Sequence, residues 1–187
     1  DRNDNSPVFD AGGSYSVSIF ENATAGVVHF VNASDADGTA AFSTISYTAS
    51  AGNVAGVFSL DSTTGEISLV GSIDYEMTAF YSFVAVGSDG EFQDTVVVNI
   101  TIVDVNDNAP VFSANEYADS LHENTTLMIE VAQVSATDAD SGANSMLTFS
   151  IVSGDTTPAS FSIDSTSGVI TTTGQSFDRE STNEFNL

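Results

Sequence analysis

The chain repeats itself at one offset. The run Asp1-Arg-Asn-Asp-Asn-Ser-Pro-Val-Phe9 returns as Asp104-Val-Asn-Asp-Asn-Ala-Pro-Val-Phe112, 103 residues later. Asp35-Ala-Asp37 returns at the same distance as Asp138-Ala-Asp140, and Phe58-Ser-Leu-Asp-Ser-Thr-Thr-Gly65 as Phe161-Ser-Ile-Asp-Ser-Thr-Ser-Gly168. Glu21-Asn22 and Asp74-Tyr-Glu76 reappear as Glu123-Asn124 and Asp178-Arg-Glu180, within one residue of that spacing. A period of this length exceeds any solenoid element and suits a domain that builds its own core. The 187 residues therefore read as two copies of one domain. The expected limits are 1–108 and 109–187, with residues 1–8 as an N-terminal half-linker and 104–110 as the linker between copies.

Within each copy the apolar residues alternate. Tyr15, Val17 and Ile19 fall on one face of an extended segment, as do Val96, Val98, Ile100 and Ile102. Val27–Val31, Ile45–Tyr47, Ile67–Leu69 and Phe80–Val86 are rich in β-branched and aromatic residues, with Gly- and Asp-containing turns between them. No segment carries a helical period. This pattern predicts an all-β chain of two immunoglobulin-like Greek-key sandwiches, with the aromatic residues in the core.

The second copy stops early. Aligning Asp178-Arg-Glu180 with Asp74-Tyr-Glu76 puts Leu187 opposite Phe83, so nothing matches Val84–Val103. The second sandwich is expected to lack the end of one inner strand and the whole last strand, exposing a sheet edge and face. Truncation, disorder and strand donation by another chain all remain open.

Charge narrows the possible partners. Against 26 acidic residues stand two basic ones, Arg2 and Arg179, for a formal charge of −24. Such a field opposes binding to nucleic acid or to an anionic membrane. The carboxylates cluster with Asn and Gly instead of coating the surface, which points to multivalent cations. Cysteine is absent, so disulfides and thiolate metal sites are excluded. Sequons begin at Asn22, Asn32, Asn99 and Asn124. No stretch is long and apolar enough to span a bilayer, and the first residues do not form a signal peptide. The chain reads as an internal piece of a longer polypeptide.

The linker Asp104-Val-Asn-Asp-Asn-Ala-Pro110, the Glu21-Asn22 pair, the run Asp138-Ala-Asp-Ser-Gly-Ala-Asn144 and Asp74-Tyr-Glu76 together resemble the signatures of cadherin repeats, in order and in spacing. The resemblance covers essentially the whole chain. It implies about three Ca²⁺ ions at the junction between repeats, each in the all-oxygen coordination that calcium takes. The first ion would use Glu21, Asp74, Glu76 and Asp107. The second would share Glu21, Glu76 and Asp107 and add Asp104, the Val105 carbonyl and Asp140. The third would take Asn106, Asp138, Asp140 and the carbonyls of Asn108 and Asn144. A further Asp of this third site would come from an Asp-Gly turn that is Asp89-Gly90 in the first copy and has no counterpart before Leu187. By the same resemblance Asn3, Asp4, Asn5, Asp35, Asp37 and Asp89 form an N-terminal half-site, and Glu123, Asp178 and Glu180 a C-terminal one.

Electrostatics gives an independent reason for metal. Seven carboxylates converging on one junction would repel one another without cations, and three divalent ions nearly neutralise them. Pro110 holds the preceding residue extended and closes the linker.

Other chemistries fit poorly. Asp138-x-Asp140 begins like an EF-hand loop, but Phe149 stands where the bidentate Glu is needed. His29 and His122 have no zinc partners at suitable spacing. Asp61 and Asp164 are explained by their turns. No phosphate loop, dinucleotide fingerprint or nucleophile elbow is present, so no enzyme and no small-molecule substrate are expected. The resemblance implies an extracellular segment of a cell-surface protein in which calcium stiffens a rod for cell–cell adhesion. Its partners would be other cadherin-like ectodomains or neighbouring repeats, with a membrane reached through the rest of the parent chain. The alternative is a structural repeat of an extracellular stalk or filament, assembled in one variant by strand donation.

Overall fold

The computed structural model describes residues 2–52, 54, 56–126, 128–154 and 159–187, with the side chain of residue 51 left aside. Asp1 of the repeated motif lies outside the described residues. The chain divides into two units, Asp1–Val105 and Asn106–Leu187.

The first unit contains β1 (Val8–Phe9), β2 (Ser14–Phe20), β3 (Gly26–Phe30), β4 (Ala33–Ser34), a single helical turn α1 (Ala40–Ser43), β5 (Ser46–Gly52), β6 (Phe58–Leu60), β7 (Glu66–Leu69), β8 (Phe80–Ser88) and β9 (Gln93–Val103). A four-stranded sheet runs β2-β9-β8-β5, a three-stranded sheet runs β3-β7-β6, and β1 pairs with β4. The two larger sheets enclose one core. Ile67, Leu69 and Phe58 come from the small sheet, and Phe83, Ala85, Val96, Val98, Ile100 and Ile102 from the large one. Alternation explains β9, where Val96, Val98, Ile100 and Ile102 are all buried. Burying an aliphatic side chain of this size stabilises the fold by about 1.5–3 kcal/mol, so this one strand contributes a large share of the core.

β9 is the last strand in sequence but an inner strand in space. It lies antiparallel to β8, with Phe83 opposite Val98, and parallel to β2, with Val17 opposite Ile100. Parallel neighbours need a long crossover, and here almost the entire unit serves as one.

The second unit forms β10 (Val111–Phe112), β11 (Glu130–Gln133), β12 (Ala136–Thr137), β13 (Phe161–Ile163) and β14 (Val169–Thr172). β10 pairs with β12, and a three-stranded sheet runs β11-β14-β13, repeating two of the three sheets of the first unit. Among the described residues no counterpart of the four-stranded sheet forms. Gly154 nevertheless lies against Asn186 and Leu187, as Gly52 of β5 lies against Ser82 and Phe83 of β8. The buried cluster is correspondingly small, consisting of Phe161, Ile170 and Phe177 with Leu121, Val131, Ile151 and Phe185 against them.

One turn shapes both units. The Asp61 carboxylate accepts the Thr63 and Thr64 N–H groups at 2.9 and 2.8 Å, and the Gly65 N–H returns to the Asp61 carbonyl at 3.1 Å. Gly65 has φ +70°, and a Cβ there would lie 2.2 Å from the Val31 carbonyl oxygen. Asp164, Thr166, Ser167 and Gly168 reproduce the arrangement, again at φ +70°, against Val134. The assignment of aromatic residues to the core needs correction. Phe20 and Phe80 are 59% and 49% exposed because their strand positions face outward, and Phe112 is 58% exposed although its counterpart Phe9 is buried.

Candidate metal centre

Glu21 follows directly on β2. Its carboxylate turns inward and is only 6% exposed. One oxygen accepts the Tyr75 N–H at 2.7 Å and the other the Val105 N–H at 2.6 Å. Both are backbone donors. Glu21, Glu76 and Asp104 each offer an oxygen within 4.8 Å of the others. Asp74, expected beside them, accepts the Met77 N–H at 3.1 Å and so shapes the turn that carries Glu76. Three chain segments thus present acidic oxygens at one end of the first unit.

At its other end, Asp35, Asp37 and Asp89 form a second such set within 4.8 Å. Asp37 is 8% exposed and accepts the Asn5 Nδ2–H at 2.8 Å. The Asn5 side chain holds the Asp37 carboxyl below the usual carboxylate range. Asp89 is held low as well: burial pushes it up, but the Phe92 and Glu91 N–H groups outweigh that. Asp4 accepts the Asn5 Nδ2–H at 3.2 Å. A terminal atom of the Asn3 carboxamide lies 3.2 Å from an oxygen of each of Asp37 and Asp89. As oxygen it completes an all-acceptor set that a cation would stabilise, and as NH₂ it donates to both.

The second unit repeats this geometry. Asp140 is 6% exposed and accepts the Asn108 N–H at 3.2 Å and Asn108 Nδ2–H at 2.8 Å. Asp138 accepts the Asp140 N–H at 3.0 Å, as Asp35 accepts that of Asp37 at 2.9 Å. Asp107 accepts from Asn108 Nδ2 at 2.9 Å, and Asn106 Nδ2 lies 3.4 Å from the Asn144 carbonyl oxygen. Glu123, Asp178 and Glu180 also converge within 4.8 Å, but all three are exposed. There Glu123 accepts the Arg179 N–H at 3.4 Å and Arg179 reaches the Glu180 carboxylate at 3.4 Å.

The donor chemistry suits a hard divalent cation. Asp35 Oδ2 and Asp140 Oδ2 are buried without a hydrogen-bond partner among the described residues. A buried carboxylate oxygen without a donor is costly unless a cation faces it. Every side chain in these sets offers oxygen, and carboxylates mixed with amide and backbone carbonyls are what calcium takes.

Two tyrosines that the sequence did not single out shape the N-terminal set. The Tyr15 hydroxyl accepts the Asn32 N–H at 3.0 Å and donates to Asp10. The Tyr47 hydroxyl accepts the Ala33 N–H at 3.1 Å. Asn32 and Ala33 lead directly into Asp35-Ala-Asp37. Tyr117 repeats the first clasp on Ser135, accepting its N–H at 3.2 Å and donating to its carbonyl at 2.8 Å. The signal was present as Tyr15 and Tyr117 recurring with the repeat. A period-two strand assigns such residues to packing, so the clasp was not legible.

The repeated sandwich and its acidic ends are matched by known proteins. The cadherin domain family matches residues 15–103 and 117–187. The chain belongs to the cadherin family. It is 38% identical over 191 residues to Protein dachsous of Drosophila melanogaster, covering 100% of this chain and 5% of that protein. To the Fat-like cadherin-related tumor suppressor homolog of the same organism it is 38% identical over 191 residues, covering 100% of this chain and 4% of that protein. The crystal structure of mouse Cadherin-23 EC22-24 superposes with a TM-score of 0.84 at 33% identity, over 95% of this chain and 56% of that one. The chain therefore spans a small fraction of its curated relatives. Cadherins are adhesion proteins, not enzymes.

Proposed function

We propose that the chain is a pair of extracellular cadherin repeats whose junction is stiffened by Ca²⁺ in support of calcium-dependent cell–cell adhesion. The repeats run over 1–108 and 109–187, joined by the linker 104–110. About three ions are held by Glu21, Asp74, Glu76, Asp104, Asp107, Asp138, Asp140, the amide of Asn106 and the carbonyls of Val105, Asn108 and Asn144. Asn3, Asp4, Asn5, Asp35, Asp37 and Asp89 serve a preceding junction, and Glu123, Asp178 and Glu180 a following one. Bound calcium supplies charge neutralisation and bridging; the residues supply preformed oxygen sets. Partners are other cadherin-like ectodomains or neighbouring repeats, and the membrane is reached through the parent chain. No helix among the described residues is long and apolar enough to cross one.

The observation that carries this reading is that each Asp-x-Asp motif buries a donorless carboxylate oxygen, on its first acid (Asp35) in one unit and on its last (Asp140) in the other. Melting the chain in millimolar calcium and in chelator tests it. A site filled to about a hundred times its Kd adds about 2.7 kcal/mol. The reading predicts a clear rise in Tm with calcium, and equal melting in both buffers would count against it.

A further inference from the structure

Four sequons lie in the chain, and one of them recurs with the repeat. Glu21-Asn22-Ala-Thr24 and Glu123-Asn124-Thr-Thr126 place an acceptor asparagine at the same position of each unit. The position equivalent to Asn32 holds Ser135, and that equivalent to Asn99 follows Leu187 in the alignment.

Local structure separates the repeated pair from Asn99. Glu21 is buried, whereas the next residue, Asn22, is exposed. Asn22, Ala23 and Thr24 are all exposed, on a turn closed by the Ala23 N–H to the Phe20 carbonyl at 2.9 Å. Asn124 and Thr126 are exposed too, and the Asn124 N–H anchors the turn on the Phe177 carbonyl at 3.0 Å. Asn124 sits at φ +62°, a left-handed conformation that Asn tolerates better than most side chains. Neither carboxamide makes a hydrogen bond among the described residues. Asn99 is different. It lies half-buried in the middle of β9, between Ser16 of β2 and Ser82 of β8, and its Oδ1 accepts the Ser82 hydroxyl at 3.0 Å.

We propose that Asn22 and Asn124 carry N-linked glycans, one beside the acidic end of each unit, and that Asn99 does not. The glycan is attached through the asparagine Nδ2 to the anomeric carbon of N-acetylglucosamine. That carbon comes from a lipid-pyrophosphate donor, which leaves as the pyrophosphate while Nδ2 loses a proton. At Asn22 a sugar would lie outside the acidic set, because the neighbouring Glu21 is buried while Asn22 is exposed. The inference rests on the extracellular reading above.

The test expresses the chain behind a secretion leader in insect or mammalian cells and recovers both secreted and cell-retained protein. Enzymatic deglycosylation in heavy-oxygen water then labels each formerly modified asparagine for peptide mass spectrometry. The expected result is label at Asn22 and Asn124 and none at Asn99, with one glycan lost in each of Asn22→Gln, Thr24→Ala, Asn124→Gln and Thr126→Ala. Absence of label at Asn22 or Asn124 in the pooled protein, or comparable label at Asn99, would overturn the proposal. Calcium-dependent melting of the same material reports on the junction separately, so the two readings can fail independently.

Discussion

Glu21 accepts the backbone N–H of Val105 at 2.6 Å, across 84 residues of sequence. The carboxylate just after β2 thus holds Val105, and its other oxygen holds Tyr75 at the start of the Asp74–Glu76 turn. Replacing Glu21 by Ala leaves two backbone donors without acceptors at a buried site. The expected cost is about 1–3 kcal/mol even in chelator, because an unmet buried donor loses its full solvation. Glu21→Gln retains one acceptor oxygen and loses the charge. It should keep more of the calcium-free stability than Glu21→Ala while losing most of the calcium-induced rise in Tm. Equal calcium response in both variants and in the unmodified chain would exclude Glu21 as a ligand.

Gly65→Ala should destabilise the first unit by about 2 kcal/mol or more. The left-handed conformation alone costs a non-glycine residue about 1–2 kcal/mol, and the new Cβ would meet the Val31 carbonyl at 2.2 Å. Denaturant melts would show this as a lower midpoint with an unchanged slope. Gly168→Ala should act in the same direction on the second unit, where the Val134 carbonyl is 2.3 Å from the added carbon.

Acid should weaken both units through their turns. The Thr64 N–H, and then the Thr63 N–H and Thr64 hydroxyl, hold Asp61 below its ordinary pKa of 3.8, and the Ser167 N–H leads the same effect on Asp164. A depressed carboxylate contributes stability that is complete above its unfolded-state pKa and is lost as pH falls through its folded-state value. Stability should therefore drop below about pH 4. Asp61→Asn and Asp164→Asn keep an acceptor oxygen but cannot titrate, so the double variant should show a shallower acid dependence. An unchanged acid profile would assign the effect to other groups.

Tyr15→Phe removes the acceptor of the Asn32 N–H without changing the ring. A lost neutral hydrogen bond costs about 0.5–1.5 kcal/mol. Because Asn32 leads into Asp35 and Asp37, calcium binding at the N-terminal half-site should weaken as well. Titrating a chain with its preceding repeat attached would reveal that loss, and a stability change with unaltered affinity would confine Tyr15 to packing.

Much of this architecture was legible before any coordinates. The 103-residue repeat, the outward and inward alternation along β9 and the Asp-x-x-x-Gly turns each follow from local chemistry. The acidic sets were legible for a different reason: separate short motifs recurred together, and no turn propensity explains Glu21 returning as Glu123. What the sequence hid was non-local. Nothing in Ser14–Phe20 says that its neighbour is Val97–Val103 or that the pairing is parallel, because that depends on how the whole unit closes. The α1 turn at Ala40–Ser43 is too short to show a period. Phe20 and Phe80 obey the alternation but sit on its outer phase, so residue type alone misassigned them.

We propose that divalent metal is held by oxygens from both repeats and the linker joining them. Anomalous diffraction from crystals of the chain grown in excess calcium tests it most directly. The expected result is peaks ligated by Glu21, Glu76, Asp104, Asp107, Asp138 and Asp140. A linker with no anomalous density, its carboxylates solvated and apart, would contradict it.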